Sequence, residues 1–285
     1  MSKENDSIRK QVSEFYARSV NQGCGCGCNC GPTMPTGVAA KQAGYEDGEL
    51  QQLPEDAVQS SFGCGNPLAF SDVQEGQIVL DLGSGAGIDL LIAADKVGKA
   101  GNVIGVDMTD DMIARARANI SEAGYDNVEV RKGIIEQLPV DDNSVDWVIS
   151  NCVINLSPEK EKVFAEIARV LKPGGRISIS DIVTENLPSW ARESAALYGS
   201  CVAGAISEQD YLSGLKQAGL ASAEVTERIV YTGAQLEAFV ESEVPQEGTS
   251  CCGGGNTKEL MVKGMASALE GKLWSAKFVG QKTND

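Results

Sequence analysis

A chain of 285 residues with 42% hydrophobic content and a mean hydropathy of −0.14 can bury one large core and has the composition of an ordinary soluble globule. Its formal charge of −16 and pI near 4.5 argue against binding phosphate backbones, which takes clustered lysine and arginine. Nine cysteines stand beside no histidine at all, so the commonest general base is missing, and with it every mixed Cys–His metal site or nucleophile pair.

Met1 to Tyr16 is charged and polar, without the apolar stretch of a secretory signal. No run approaches the roughly 20 apolar residues of a membrane span. The expected compartment is the cytoplasm, with neither membrane nor nucleic acid as a partner. Thiols stay reduced there, so the cysteines read as ligands or reactants before disulfides. Asp6 to Val20 reads as one helix with Ile8, Val12, Phe15 and Ser19 on one side. The run Gly23 to Pro32 interleaves glycine with Cys24, Cys26, Cys28 and Cys30, has no apolar periodicity, and reads as a loop. Leu53 to Phe62 holds a further short helix.

From about Ser71 the pattern becomes regular βα alternation. Strands are expected at Ile78–Leu82, Val103–Asp107, Val128–Val130, Val145–Ser150 and Arg176–Asp181. Helices are expected from Gly87 to Val97, from Thr109 as cap to Ala123, and from Pro158 to Leu171. Beyond strand five the sequence offers helical segments at Trp190–Ala203 and Glu208–Ala218. Two more strands follow, at Ala223–Tyr231 and Leu273–Val279. Cys251-Cys252-Gly253-Gly254-Gly255 reads as an exposed loop. Such alternation predicts an α/β fold with a mostly parallel, doubly wound sheet.

Asp81-Leu82-Gly83-Ser84-Gly85-Ala86-Gly87-Ile88 joins the first strand to the first helix of this alternation. Its glycines let backbone N–H groups approach a ligand at a helix N-terminus. The spacing is G-x-G-x-G, with Ile88 where a dinucleotide fingerprint needs its third glycine. Asp107 ends the second strand, where a carboxylate accepts hydrogen bonds from both ribose hydroxyls. Two strand-end acids suit a ligand with a cationic amino-acid end and an unphosphorylated ribose. S-adenosylmethionine has both.

This set resembles motif I and the motif II acid of the class I methyltransferases. Gly133-Ile134-Ile135-Glu136-Gln137-Leu138-Pro139, Val145-Asp146-Trp147-Val148 and Leu171-Lys172-Pro173-Gly174-Gly175 extend the likeness. The resemblance implies a seven-stranded, Rossmann-like methyltransferase domain over residues 70–285, with acceptor-site insertions. A helical, Cys-rich extension covers residues 1–69. It also implies S-adenosylmethionine contacts at Asp81, Gly83, Ser84, Gly85, Gly87, Asp107, Met108, Ile135, Glu136 and Asn151.

The isolated cysteines sharpen this. Cys152 directly follows strand four, and the C-terminal strand ends of a doubly wound sheet line the ligand crevice, so its thiol is expected to face the transferable methyl. Cys201 lies beyond strand five, in a segment that shapes acceptor pockets, and Cys64 precedes the core in a glycine-rich, Pro-ended stretch. Each taken alone can be a buried small hydrophobe. Together, Phe62-Gly63-Cys64-Gly65-Asn66-Pro67, Gly105-Val106-Asp107-Met108-Thr109, Ser150-Asn151-Cys152-Val153-Ile154-Asn155-Leu156 and Gly199-Ser200-Cys201-Val202-Ala203-Gly204 resemble arsenite S-adenosylmethionine methyltransferases, from about Ser60 to Leu220.

That resemblance implies arsenic(III) bound by Cys64, Cys152 and Cys201. It also implies a further N-terminal thiol, whose region here holds Cys24, Cys26, Cys28 and Cys30. This cluster reads equally as an arsenic-capturing or disulfide-exchanging tail and as an adventitious metal-binding segment. Ser13-Glu14-Phe15-Tyr16-Ala17 resembles an aromatic segment that covers the cofactor in relatives. The implied substrates are arsenite and methylated arsenicals, handled in arsenic detoxification or biotransformation. The implied partner is a thiol reductant, either a small dithiol or a thioredoxin-like protein. Two alternatives stay open: a class I methyltransferase for another small acceptor, and a metalloid-binding protein without turnover. The missing histidine fits the chemistry, because arsenic(III) on three thiolates keeps a lone pair and has no proton to lose.

Overall fold

The computed structural model describes residues 2–21, 45, 47–51, 53–60, 63, 65–68, 72–243 and 255–284. Cys24, Cys26, Cys28, Cys30, Cys64, Cys251 and Cys252 lie outside the described residues. Among the described residues no helix is long and apolar enough to cross a membrane.

Seven strands form one sheet: β1 (Ile78–Leu82), β2 (Asn102–Asp107), β3 (Val128–Lys132), β4 (Val145–Asn151), β5 (Leu171–Thr184), β6 (Glu224–Val230) and β7 (Leu273–Gln281). Their order is β3-β2-β1-β4-β5-β7-β6. The first five run parallel, while β7 inserts antiparallel between β5 and β6. The chain winds outward from β1 through β2 to β3 and then returns to β4. The strand ends therefore part on either side of β1 and β4, the place where an open sheet takes its ligand.

The core follows from alternation along strands covered on both faces. Leu80 and Val148 pair in register and enter one cluster with Phe164, Ile167, Tyr211 and Phe278. Val79 and Trp147, the neighbouring pair, enter the other cluster with Leu90, Leu91 and Ile113. Helices α4 (Ile88–Val97) and α5 (Asp110–Ala123) cover the second face. Helices α6 (Lys160–Val170) and α9 (Glu208–Gln217) cover the first. Each fully buried Leu or Ile contributes roughly 1.5–3 kcal/mol. Both edge strands carry charge outward, as Glu129 and Arg131 on β3 and Glu224 and Glu227 on β6, which discourages further pairing.

A third apolar cluster covers the C-terminal end of the sheet and holds the site. It joins Val12 of α1 (Lys3–Asn21), Leu156 and Ile182 to Ala191 and Leu197 of two short helices, α7 (Ser189–Arg192) and α8 (Ala195–Gly199). Leu236 and Val240 of α10 (Gly233–Glu243) and Val262 and Leu269 of α11 (Gly255–Leu269) complete it. Two turns of helix, α2 (Asp47–Leu50) and α3 (Glu55–Gln59), precede β1.

The sequence expectations depart from this structure in three places. The segment Trp190–Ala203 is two short helices rather than one, ended by a turn in which Cys201 takes φ 65°. The Pro173-Gly174-Gly175 turn lies within β5, since Leu171 already pairs with Val145. The helices α10 and α11 were not anticipated, because the glycine and cysteine run between them carries no helical period.

Candidate active site

The cleft at the β1/β4 parting is built first by the glycine loop. Gly83 N and Ser84 N donate to Val106 O at 2.8 and 3.2 Å, and Gly85 N donates to Asp107 Oδ2 at 3.0 Å, so the loop is stitched to the end of β2. Gly85 takes φ 51°, and a Cβ there would meet no protein atom within 4 Å. The loop thus turns bare backbone toward open space, as close approach of a ligand requires. Ser84 Oγ is buried there without a hydrogen-bond partner among the described residues.

Asp107 also accepts from Thr109 N at 2.8 Å through Oδ1, so the carboxylate rather than the Thr109 hydroxyl organises the start of α5. Burial raises the Asp107 pKa, and the N–H donors of Thr109 and Gly85 oppose that rise. Asp81 is buried, and burial first, then Asp89 and Asp107, push its pKa well above the usual carboxylate range. Three acids clustered in this wall, Asp81, Asp89 and Asp107, favour a positively charged ligand. Met108, Ile135, Glu136, Asn151 and Cys152 line the same cleft. Every described residue expected at the cofactor, from Asp81 to Asn151, is therefore on or beside one pocket. An orphaned serine, a bare glycine turn and an anionic wall fit S-adenosylmethionine.

Asn151 ties the cleft to the loop that flanks Cys64 in sequence. Its Nδ2 donates to Gly65 O at 2.6 Å and its Oδ1 accepts from Gly65 N at 3.2 Å. A Cβ on Gly65 would lie 2.6 Å from Ser180 Cβ, so only glycine sits this close to β5. Tyr45 Oη donates to Asp89 Oδ1 at 2.8 Å and accepts from Asn151 Nδ2 at 3.0 Å. Lys277 Nζ and Ser178 Oγ hold the carbonyls of Asn66 and Pro67.

Behind the cleft, Cys152, Cys201 and Asp181 converge, all buried, with one ligand atom from each within 4.8 Å of the others. Both cysteines hold left-handed backbone, φ 56° at Cys152 and φ 65° at Cys201. A non-glycine residue there costs about 1–3 kcal/mol, a cost a mere core position does not need. The Cys201 thiol donates to Cys152 O. Burial and the nearby Asp181 push the Cys201 pKa well up, with Tyr16 and Lys160 acting in the opposite direction. Cys152 is disulfide-bonded.

α1 closes the cleft. Its Arg9, Val12 and Tyr16 are part of the lining. Arg9 Nε donates to Glu136 Oε1 at 3.1 Å, its second terminal nitrogen to Glu159 Oε2 at 2.5 Å, and its first to Asp6 Oδ1 at 3.0 Å. Ser157 Oγ adds a 2.6 Å bond to Glu136. Tyr16 Oη donates to Gly199 O at 3.1 Å, and Phe15 packs so closely on Gly199 that a Cβ there would lie 3.0 Å from its ring. Arg115 reaches back from α5 to Val20 O and Asp56.

Sequence reasoning left Asp181, Arg9, Tyr45, Asp89 and Lys160 unassigned. Asp181 carried a usable signal, since it closes the expected fifth strand much as Asp107 closes the second. An arginine on an amphipathic helix carries none, because a solvated face looks the same.

Comparison with known proteins agrees with this geometry. A family model described as a methyltransferase domain matches residues 74–219. The arsenite methyltransferase of Halobacterium salinarum is 46% identical over 187 residues, which cover 65% of this chain and 48% of that protein. That of Aquipseudomonas alcaligenes is 41% identical over 170 residues, 57% of this chain and 49% of that protein. The chain spans about half the length of these two curated relatives. Among solved structures, an arsenic (III) S-adenosylmethionine methyltransferase from Chlamydomonas reinhardtii superposes with a TM-score of 0.63 at 30% identity, over 83% of this chain and 72% of that one. With the seven-stranded sheet, the glycine loop and its two strand-end acids in place, this chain belongs to the methyltransferase domain family.

Proposed function

We propose that this chain is an arsenite methyltransferase, transferring a methyl group from S-adenosylmethionine to arsenic(III) held by Cys64, Cys152 and Cys201. One observation carries the reading: Cys152 lines the cofactor cleft and also belongs to the buried thiol set with Cys201. S-adenosylmethionine supplies a methyl carbon activated on a sulfonium. The glycine loop, Ser84, Asp81 and Asp107 hold the ligand, with Met108, Ile135, Glu136 and Asn151 as further wall. α1 excludes water from above.

The thiols need no base. The Cys201 thiol is held protonated by burial. As each As–OH bond of arsenite gives way to an As–S bond, the leaving hydroxide takes the thiol proton and departs as water. Three soft ligands then leave arsenic its lone pair, and catalysis comes from holding that pair in line with the methyl carbon. Because Cys152 is in a disulfide, binding requires prior reduction by a thiol reductant, either a small dithiol or a thioredoxin-like protein.

The test is direct. Reduced protein given arsenite, S-adenosylmethionine and a dithiol is expected to form methylated arsenic, and Cys152→Ser or Cys201→Ser to abolish it. Reduced protein that binds the cofactor and yields no methylated arsenic contradicts the reading.

A further inference from the structure

We infer that Asp181 is an electrostatic catalytic group, a fixed negative charge placed where positive charge develops on arsenic during methyl transfer. The inference rests on the arsenite reading above and deepens it. In the transfer step the arsenic lone pair forms the bond to the methyl carbon. The carbon–sulfur bond breaks and its electron pair returns to sulfur, which becomes a neutral thioether. Arsenic passes from the trivalent to the pentavalent state, and the positive charge that began on sulfur ends on arsenic and its three sulfur ligands. No proton moves. A group that favours this step must therefore meet the acceptor as it becomes cationic.

Asp181 is the described residue positioned to do so. A carboxylate oxygen lies within 4.8 Å of both the Cys152 and Cys201 sulfur atoms. The side chain is fully buried at the end of β5. Four donors converge on it: Asn155 Nδ2 at 2.8 Å and Ile182 N at 2.9 Å on Oδ1, Tyr211 Oη at 3.2 Å and Asn155 N at 3.3 Å on Oδ2. Burial pushes its pKa up to about 7, and these donors together with Lys160 oppose that rise, so above neutral pH the group stands as a carboxylate. The donors also fix its orientation before reaction, so no reorganisation accompanies the charge shift. Lys160, whose Nζ is anchored on Asn155 O and Ser157 O, bears an opposing charge on the same chamber.

This arrangement makes two variants of opposite sign. In full-length reduced protein, Asp181→Asn is expected to bind arsenite within threefold of wild type, read from thiolate–arsenic absorbance. It should also bind S-adenosylmethionine within threefold, read by calorimetry. Its single-turnover methyl transfer should fall about 100-fold. Lys160→Met removes the opposing charge, and at pH 9, where Asp181 stays ionised without it, is expected to speed the same step severalfold. A purely structural Asp181 would instead lose arsenite binding along with rate, and a purely structural Lys160 would slow transfer when lost. Either result overturns the inference, as does Asp181→Asn transferring within fivefold of wild type. Should Asp181→Asn not fold, the direction of the Lys160→Met effect decides alone. Wild-type protein that binds both ligands and transfers nothing overturns the methyltransferase reading on which the inference stands.

Discussion

Removing the Arg9 side chain tests whether α1 is part of the cofactor site or a passive cover. Arg9→Met leaves Glu136 with its Ser157 hydrogen bond but without its counter-charge, and the pair is desolvated, with side chains 9% and 4% exposed. Breaking a buried pair of this kind costs about 3–5 kcal/mol, and the surviving Ser157 bond places this one near the lower end, about 3 kcal/mol. Asp6, 59% exposed, adds less than about 1 kcal/mol. A loss of 3 kcal/mol shifts the docking of α1 by roughly 150-fold. Because Arg9, Val12 and Tyr16 form part of the cleft wall, a helix that docks so much less often weakens apparent S-adenosylmethionine affinity tenfold or more. Urea unfolding and calorimetric titration read the two effects separately. Arg9→Lys, a single point charge in place of a three-way fork, should fall between wild type and Arg9→Met. Adding Glu136→Gln to Arg9→Met should recover stability by removing the orphaned charge. An Arg9→Met protein that unfolds within 0.5 kcal/mol of wild type and binds the cofactor within twofold refutes the reasoning.

Further consequences can be measured with equal directness. Protein prepared without reductant should show no thiolate–arsenic absorbance on adding arsenite, and reduction should restore it; equal binding in both states contradicts a requirement for the Cys152 thiol. Cys64→Ser should impair methylation of arsenite more than of methylarsenite, whose arsenic has fewer positions for sulfur, and equal loss on both would argue against a third thiolate. Burial lowers the Lys277 pKa to about 8. The folded value lies below the unfolded 10.5, so the unfolded chain binds more protons between about pH 8 and 10.5 and stability rises with pH across that window. Lys277→Met should therefore gain on wild type by about 1–2 kcal/mol at pH 7 relative to pH 10.5, allowing for solvent near the ammonium; a pH-independent difference in chemical denaturation contradicts it. Gly85→Val fills the open approach to the glycine loop and strains a φ of 51°, and should abolish cofactor binding while the protein remains folded.

The sheet was legible because its strands are buried on both faces and so read as short apolar runs, and because Asp81 and Asp107 sit at strand ends marked by glycine or a helix start. The convergence of Cys152 and Cys201 was legible from motif resemblance. Chain spacing alone says little, since 49 residues separate the two in the Cys201 contact to Cys152 O. What escaped is long-range by nature. Arg9 meets Glu136 and Glu159 across 127 and 150 residues, and Tyr45 finds Asn151 from an unrelated segment. Asp181 gains its meaning from a chamber assembled by β5, the turn at Cys201 and the segment after β4. The helices α10 and α11 were missed for a local reason: their apolar face, Leu236, Val240, Val262 and Leu269, is divided by a run without helical period.

The central claim is that arsenic on Cys152 and Cys201 receives a methyl group from a cofactor in the adjoining cleft. Its most direct test is a single turnover with isotopically labelled methyl on S-adenosylmethionine. The protein is reduced beforehand, loaded with one equivalent of arsenite and freed of excess thiol. Label recovered on arsenic, and lost in Cys152→Ser and Cys201→Ser, is the result predicted here. Label that stays on the cofactor although both ligands are bound, or that appears on a protein side chain, would contradict it.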